Sequence, residues 1–215
     1  MNLTAAALTV MTAAGFSHPQ TIDNPYLPLS KFTRCDYGGR ADDGTRERNV
    51  VRRLRRTRAF DVEGQRVDAV VIDDRAFEDG RLVERTFDYF AQADDGTVHY
   101  LGEHVDNIEH GRVVDHHGSW LYGRDTKVLG VAMPARPQLG MQWRLEDVPR
   151  ITVESDRIEE VGMRARAGGR LHHDVIRVQE FTQPEGDVEY KLYARGVGVI
   201  TEYAPDGRSV LRRCR

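Results

Sequence analysis

Short runs rich in Val, Ile, Phe, Tyr and Thr recur along the chain, and the same polar punctuation separates them. Gly preceded by Asp, Glu or His occurs at Gly44, Gly64, Gly80, Gly96 and Gly111, then again at Gly186 and Gly207. From Gly64 to Gly111 the intervals are 16, 16 and 15 residues. Glycine accepts the positive φ that a tight hairpin requires, and a preceding Asp tolerates it better than most residues. The pattern predicts an all-β chain, an antiparallel β-meander of about ten strands. Strands are expected near 31–38, 47–60, 66–77, 81–92, 97–108, 112–122, 149–163, 171–182, 187–194 and 197–204, with a further one over 208–213 left open. The connection 125–147 holds Gly130, Pro134, Pro137 and Gly140 and leaves room for a short strand. Curling into a barrel with a central cavity would manage the sheet edges; a two-sheet sandwich is the alternative.

No linker or composition shift divides the 215 residues. Residues 1–20 therefore read as a lead-in or short helix, and 21–215 as a single β domain. Residues 3–16 are mildly apolar but too short to span a bilayer, and only Met1 and Asn2 precede them. A cytoplasmic location is expected, with export through a weak N-terminal signal as the alternative. The net charge of −3 gives no reason to expect nucleic acid or a membrane as partner. The arginine run at 48–58 changes this little, because a strand sends its arginines to both faces. Cys35 and Cys214 are far apart and form no framework, so they read as two uncoupled thiols in a reducing compartment.

Several segments resemble a largely uncharacterised family of bacterial proteins, common in actinobacteria and often exported. They are TIDNPYLPLS (21–30), FEDGRLVERTFDYFAQADDGTVHYLGE (77–103), GSWLYG (118–123), VAMPARPQLG (131–140) and EYKLYARGVGVITEY (189–203). The resemblance implies a fold more than a chemistry. The family typically carries Asp-Trp-Tyr-Ala-Gln where this chain has Asp88, Tyr89, Phe90, Ala91 and Gln92. It carries Trp-Tyr-Phe-Gly-Glu where this chain has His99, Tyr100, Leu101, Gly102 and Glu103. Asp88 and Glu103 thus match, whereas Tyr89 and His99 depart, which implies a remodelled surface or cavity.

The hairpin of strands 81–92 and 97–108 holds the densest cluster of ionisable residues. Its register decides what they can do. A two-residue turn at Asp95 and Gly96 puts Asp88 opposite Glu103 and Gln92 opposite His99. Two facing carboxyl groups in a dry site cannot both ionise cheaply, so one becomes a general acid beside a general base. A type I turn with a Gly bulge, the more natural choice for ADDGT, puts Asp88 opposite Gly102 and turns Glu103 to the other face. In either register Asp88 could instead be a buried carboxylate satisfied by Arg or backbone donors.

Histidines come next. His99, His104, His110, His116 and His117 fall close together. Neither His116–His117 nor His172–His173 can chelate one ion while extended, since strand neighbours point oppositely. A metal site would need His104 or His99 to converge with His116 and a carboxylate across strands. No nucleophile elbow, phosphate loop or dinucleotide fingerprint is present.

The favoured expectation is a cofactor-independent enzyme of specialised metabolism, binding a small hydrophobic metabolite and promoting cyclisation, elimination or isomerisation. Its candidate catalytic residues are Asp88, Glu103, His99, Tyr100 and His104. Its candidate ligand-binding residues are Tyr89, Phe90, Gln92, His116, Trp120 and Tyr122. No metal ligands are assigned. The alternatives are a non-catalytic binding or structural module and a His/carboxylate metal-dependent enzyme.

Overall fold

The computed structural model describes residues 14–183, 186–204 and 207–215. Residues 1–13, with most of the apolar N-terminal stretch, lie outside it, as do Glu185 and Asp206 of two predicted turns. The chain is all-β, an antiparallel meander in one sheet. Fourteen strands lie among the described residues, more than the ten or so expected. They are β1 (Arg34–Ala41), β2 (Arg46–Val62), β3 (Gln65–Glu78), β4 (Arg81–Gln92), β5 (Val98–Glu109), β6 (Arg112–Asp115) and β7 (Trp120–Leu121). There follow β8 (Gly130–Met133), β9 (Gln142–Val148), β10 (Thr152–Ala167), β11 (Arg170–Gln183), β12 (Val188–Ala194), β13 (Gly198–Ala204) and β14 (Gly207–Cys214). No helix among the described residues is long and apolar enough to cross a membrane.

The ladder runs β6-β5-β4-β3-β2-β1-β14-β13-β12-β11-β10-β9. It does not close into a barrel; β6 and β9 are its two ends. The short β8 pairs with β5 and bridges the seam, for its Gly130 backbone lies hard against Leu145 of β9. A Cβ there would come within 2.2 Å of Leu145 O and 2.9 Å of Tyr100 O. The curl brings Val70, Ile72, Val98 and Tyr100 of one half against Val148, Ile158, Ile176 and Val178 of the other. Segment 21–30 packs Ile22, Tyr26 and Leu29 into this core. Asn24 locks that segment: its amide donates to Gly96 O and Pro134 O, and its Oδ1 accepts from Tyr26 N and Leu27 N.

The outer face of β2–β5 carries a second core of Phe16, Phe60, Val71, Tyr89 and Leu101. This explains the nearly unbroken apolar run of β3, buried on both faces. Under the β10–β14 half lies a third core built on Val175, Leu192, Ile200 and Leu211.

Two sequence expectations are corrected here. The strand expected at 112–122 breaks into β6 and β7, because Asp115 accepts hydrogen bonds from Asn107 Nδ2 and His117 N and turns the chain. The connection 125–147 holds β8 and all of β9 but its last residue, Val148, in place of one short strand. The cysteines are also corrected: Cys35 and Cys214 form a disulfide. They lie 179 residues apart in sequence but 4.1 Å apart between Cα atoms, because β14 returns beside β1 and places the two directly opposite.

Candidate functional site

The turn after β4 is the one that ADDGT favours. Only Gly96 has positive φ, and Ala93 N donates to Thr97 O at 2.9 Å. At Glu63–Gly64, Asp79–Gly80 and His110–Gly111 both residues have positive φ, as two-residue hairpin loops require. The β4–β5 pairing therefore begins with Gln92 opposite Val98 and Phe90 opposite Tyr100. It then shifts, so that Asp88 lies opposite Glu103. The cause is a second bulge, in which Leu101 and Gly102 together face Tyr89. Gly102 has φ +121, and a Cβ there would lie 2.4 Å from Trp120 O of β7. One-residue shifts at the turn and at Gly102 cancel, and the two carboxyl groups meet.

They meet in an interior cavity of about 410 Å³ between the halves of the curled sheet. One wall carries Asp74, Asp88 and Glu103; the facing wall carries Glu146, Glu154, Asp156, Glu180 and Glu202 around Lys191. The Tyr100 hydroxyl donates to Asp88 Oδ1 at 2.7 Å, with Phe90 stacked on its ring at 4.8 Å. Burial, reinforced by the negative charge of Asp74, pushes Asp88 up to about 7. Burial and the facing Glu146 hold Glu103 well above the usual carboxylate range. The Tyr100 hydroxyl favours the Asp88 anion and so offsets part of the rise at Asp88.

The second wall is organised by one cation. Lys191 Nζ lies 2.6 Å from Glu180 Oε2 and 3.4 Å from Glu202 Oε1. Burial opposes its charge, but Glu180 and Glu202 outweigh that and hold the lysine firmly protonated. Nearby, Glu146 accepts from Trp120 Nε1 at 2.9 Å and from the Thr152 hydroxyl at 2.7 Å.

The other predicted site residues divide. Asp88, Glu103, Tyr100 and Phe90 line the cavity, and Trp120 packs edge-on beneath Tyr100. His99 does not reach it; the ring is buried on the outer face against Phe16 and hydrogen-bonds Gly130 O at 2.9 Å. Tyr89 also points outward, its hydroxyl accepting from Arg58. Gln92 is structural, with Oε1 accepting from Asp23 N and Asn24 N. Tyr122 borders a shallow outer groove with Arg58 and Lys127. Sequence reasoning missed Asp74, Glu146, Glu154, Asp156, Glu180, Lys191 and Glu202. Period two would have found five of them, since Asp74, Glu146, Asp156, Glu180 and Lys191 each stand two residues from a core position, Ile72, Val148, Ile158, Val178 and Tyr193.

His104 and His116 do converge with a carboxylate, but outside the cavity. His104 Nε2 lies 3.3 Å and His116 Nδ1 3.0 Å from Asp106 Oδ1. Two imidazoles and a carboxylate form a donor set that divalent transition metals accept. The cluster is part-exposed on the outer face, and His116 Nδ1 also hydrogen-bonds Val105 O.

Fold and site together define an antiparallel β-meander with an acidic interior cavity. No family model matches the chain, and no curated protein matches it. Among solved structures, a candidate lipoprotein from Parabacteroides distasonis is similar over 89% of this chain and 99% of that one, with a TM-score of 0.48 and 9% identity.

Proposed function

We propose that the protein binds a small molecule in its interior cavity and acts on it by acid–base chemistry, with Asp88 as base and Glu103 as acid. The observation that carries this reading is the pairing of the two carboxyl groups inside the cavity with the Tyr100 hydroxyl on Asp88. A base pushed up to about 7 and desolvated is matched to proton abstraction at neutral pH. Proton removal by Asp88 with delivery by Glu103 would serve an elimination, isomerisation or cyclisation and needs no electron carrier. The cavity supports this reading over a purely structural module. A metal-dependent reaction at the pair draws no support from the histidines, whose cluster stands on the opposite face of β5. The Cys35–Cys214 disulfide supports an oxidising compartment, and so the exported alternative rather than the cytoplasm.

A nitrobenzisoxazole is a suitable probe, because its ring opens when any desolvated base removes the ring C–H proton and breaks the N–O bond. The wild-type protein is expected to open it faster than equimolar acetate, with a rate that rises through about pH 7. Asp88→Asn is expected to lose about 100-fold while its melting temperature stays close to wild type. A rate no better than acetate, or one indifferent to Asp88→Asn, would overturn the catalytic assignment.

A further inference from the structure

The cavity is far richer in acceptors than in donors. Among the described residues eight carboxyl groups and a single lysine line it. Five of the eight have partners. Glu180 and Glu202 share Lys191, Glu146 takes Trp120 and Thr152, Asp88 takes Tyr100, and Glu154 Oε2 accepts from the Thr182 hydroxyl at 3.4 Å. Three buried oxygens nevertheless have no hydrogen-bond partner: Asp74 Oδ1, Asp156 Oδ1 and the second oxygen of Glu154, Oε1. Asp156 is only 2% exposed. The Trp143 indole N–H faces Asp156 but falls short of hydrogen-bond geometry. Buried acceptors left without donors are costly, and a native protein that keeps several in one cavity has a use for them.

Beside Asn49 and the tyrosines Tyr37, Tyr100 and Tyr193, the rest of the lining is apolar. Leu27, Phe32, Val51, Val197 and Val199 are half-buried around the same space. The cavity therefore joins an acidic end to an apolar one. Resting on the reading of the cavity as a small-molecule site, we infer that its ligand is an organic ammonium ion with an apolar body, the ammonium seated on Glu154 and Asp156. An ammonium supplies several N–H donors and a positive charge to those oxygens, and the apolar body covers Leu27 and Phe32.

A divalent metal ion fits less well. Donor atoms of Glu154, Asp156 and Glu180 lie within 4.8 Å of one another, a carboxylate set such an ion could use. The Lys191 ammonium already sits 2.6 Å from Glu180, and it repels a doubly charged ion ligated there about twice as strongly as a single ammonium at the same distance. The apolar end also offers nothing to a hydrated ion.

Isothermal titration of the full chain with hexylamine, hexanol, hexanoate and calcium chloride separates the cases. Hexylamine is expected to bind about tenfold or more tightly than hexanol, and hexanoate and calcium to give no binding heat. In the double variant Glu154→Gln with Asp156→Asn, hexylamine is expected to weaken to the level of hexanol. The comparison among ligands on the wild-type protein stands even if that variant fails to fold. Equal binding of hexylamine and hexanol would overturn the charge preference and leave the small-molecule site standing. Binding by none of the organic probes would overturn both. Calcium binding that displaces hexylamine, or amine binding untouched in a folded double variant, would overturn the ammonium assignment.

Discussion

The folded protein is expected to be several kcal/mol more stable at pH 5 than at pH 8, the reverse of ordinary acid sensitivity. Asp74, Asp88, Glu154 and Glu180 are each pushed up to about 7, first of all by burial. Each holds its proton more tightly in the folded chain than in the unfolded one. Between about pH 4 and 7 the folded state therefore binds more protons, and raising the pH withdraws stability. Moving one carboxyl from about 4 up to about 7 corresponds to about 4 kcal/mol. The groups share one cavity, so their contributions do not add. A counter-effect sets in at lower pH. Hydrogen bonds from Arg34 and Arg48 hold Asp36 far below the usual range. Burial pushes Asp73 up, but Arg75 and Arg85 outweigh it and lower it. Stability from these two is present above about pH 4 and is lost as pH falls further. Urea denaturation across pH 4 to 8 should trace a maximum on the acidic side of neutrality. A midpoint that climbs steadily toward pH 8 would contradict the buried acidic cavity.

Removing the disulfide is the second large effect expected. Cys35–Cys214 ties the first strand of the meander to the last across 179 residues. Closing a loop of that length restricts the unfolded chain by about 5 kcal/mol in the chain-entropy treatment. Backbone bonds support the same junction, with Thr33 N donating to Arg215 O at 2.7 Å and Arg215 N to Arg34 O at 2.9 Å. The double variant Cys35→Ser, Cys214→Ser is expected to unfold at a clearly lower denaturant midpoint, and wild-type protein in reductant to match it. Identical midpoints in all three would show that the link does not form in solution.

The meander was legible because each hairpin carries its own turn chemistry within two or three residues. Asp79–Gly80 and Asp95–Gly96 look alike in sequence yet build different loops, and the preceding Ala93 and Asp94 distinguish them. What was not legible depends on distant partners. Strands β7 and β8 exist because the outer edge of β5 is there to receive them, and neither is long enough to signal itself. Cys35 meets Cys214 only because the sheet pairs the first strand of the chain with the last. Asp88 and Glu103 required two shifts to be read at once. The Gly96 turn was readable, and the Gly102 bulge carried a signal too, since a glycine inside a strand commonly marks one. The acidic wall around Lys191 was hidden among many exposed charges; strand alternation puts part of it on the core face, and the sheet's curl gathers it into one cavity.

The pairing of Asp88 with Glu103 inside the cavity is the claim on which the functional reading stands. Carbon-detected NMR titration of the labelled carboxyl groups addresses it directly. Both residues are expected to titrate far above exposed Asp and Glu, Asp88 near pH 7, and Asp88→Asn to move the Glu103 transition downward by removing the facing charge. Transitions for both within the ordinary range near pH 4, with Glu103 unmoved by Asp88→Asn, would contradict it.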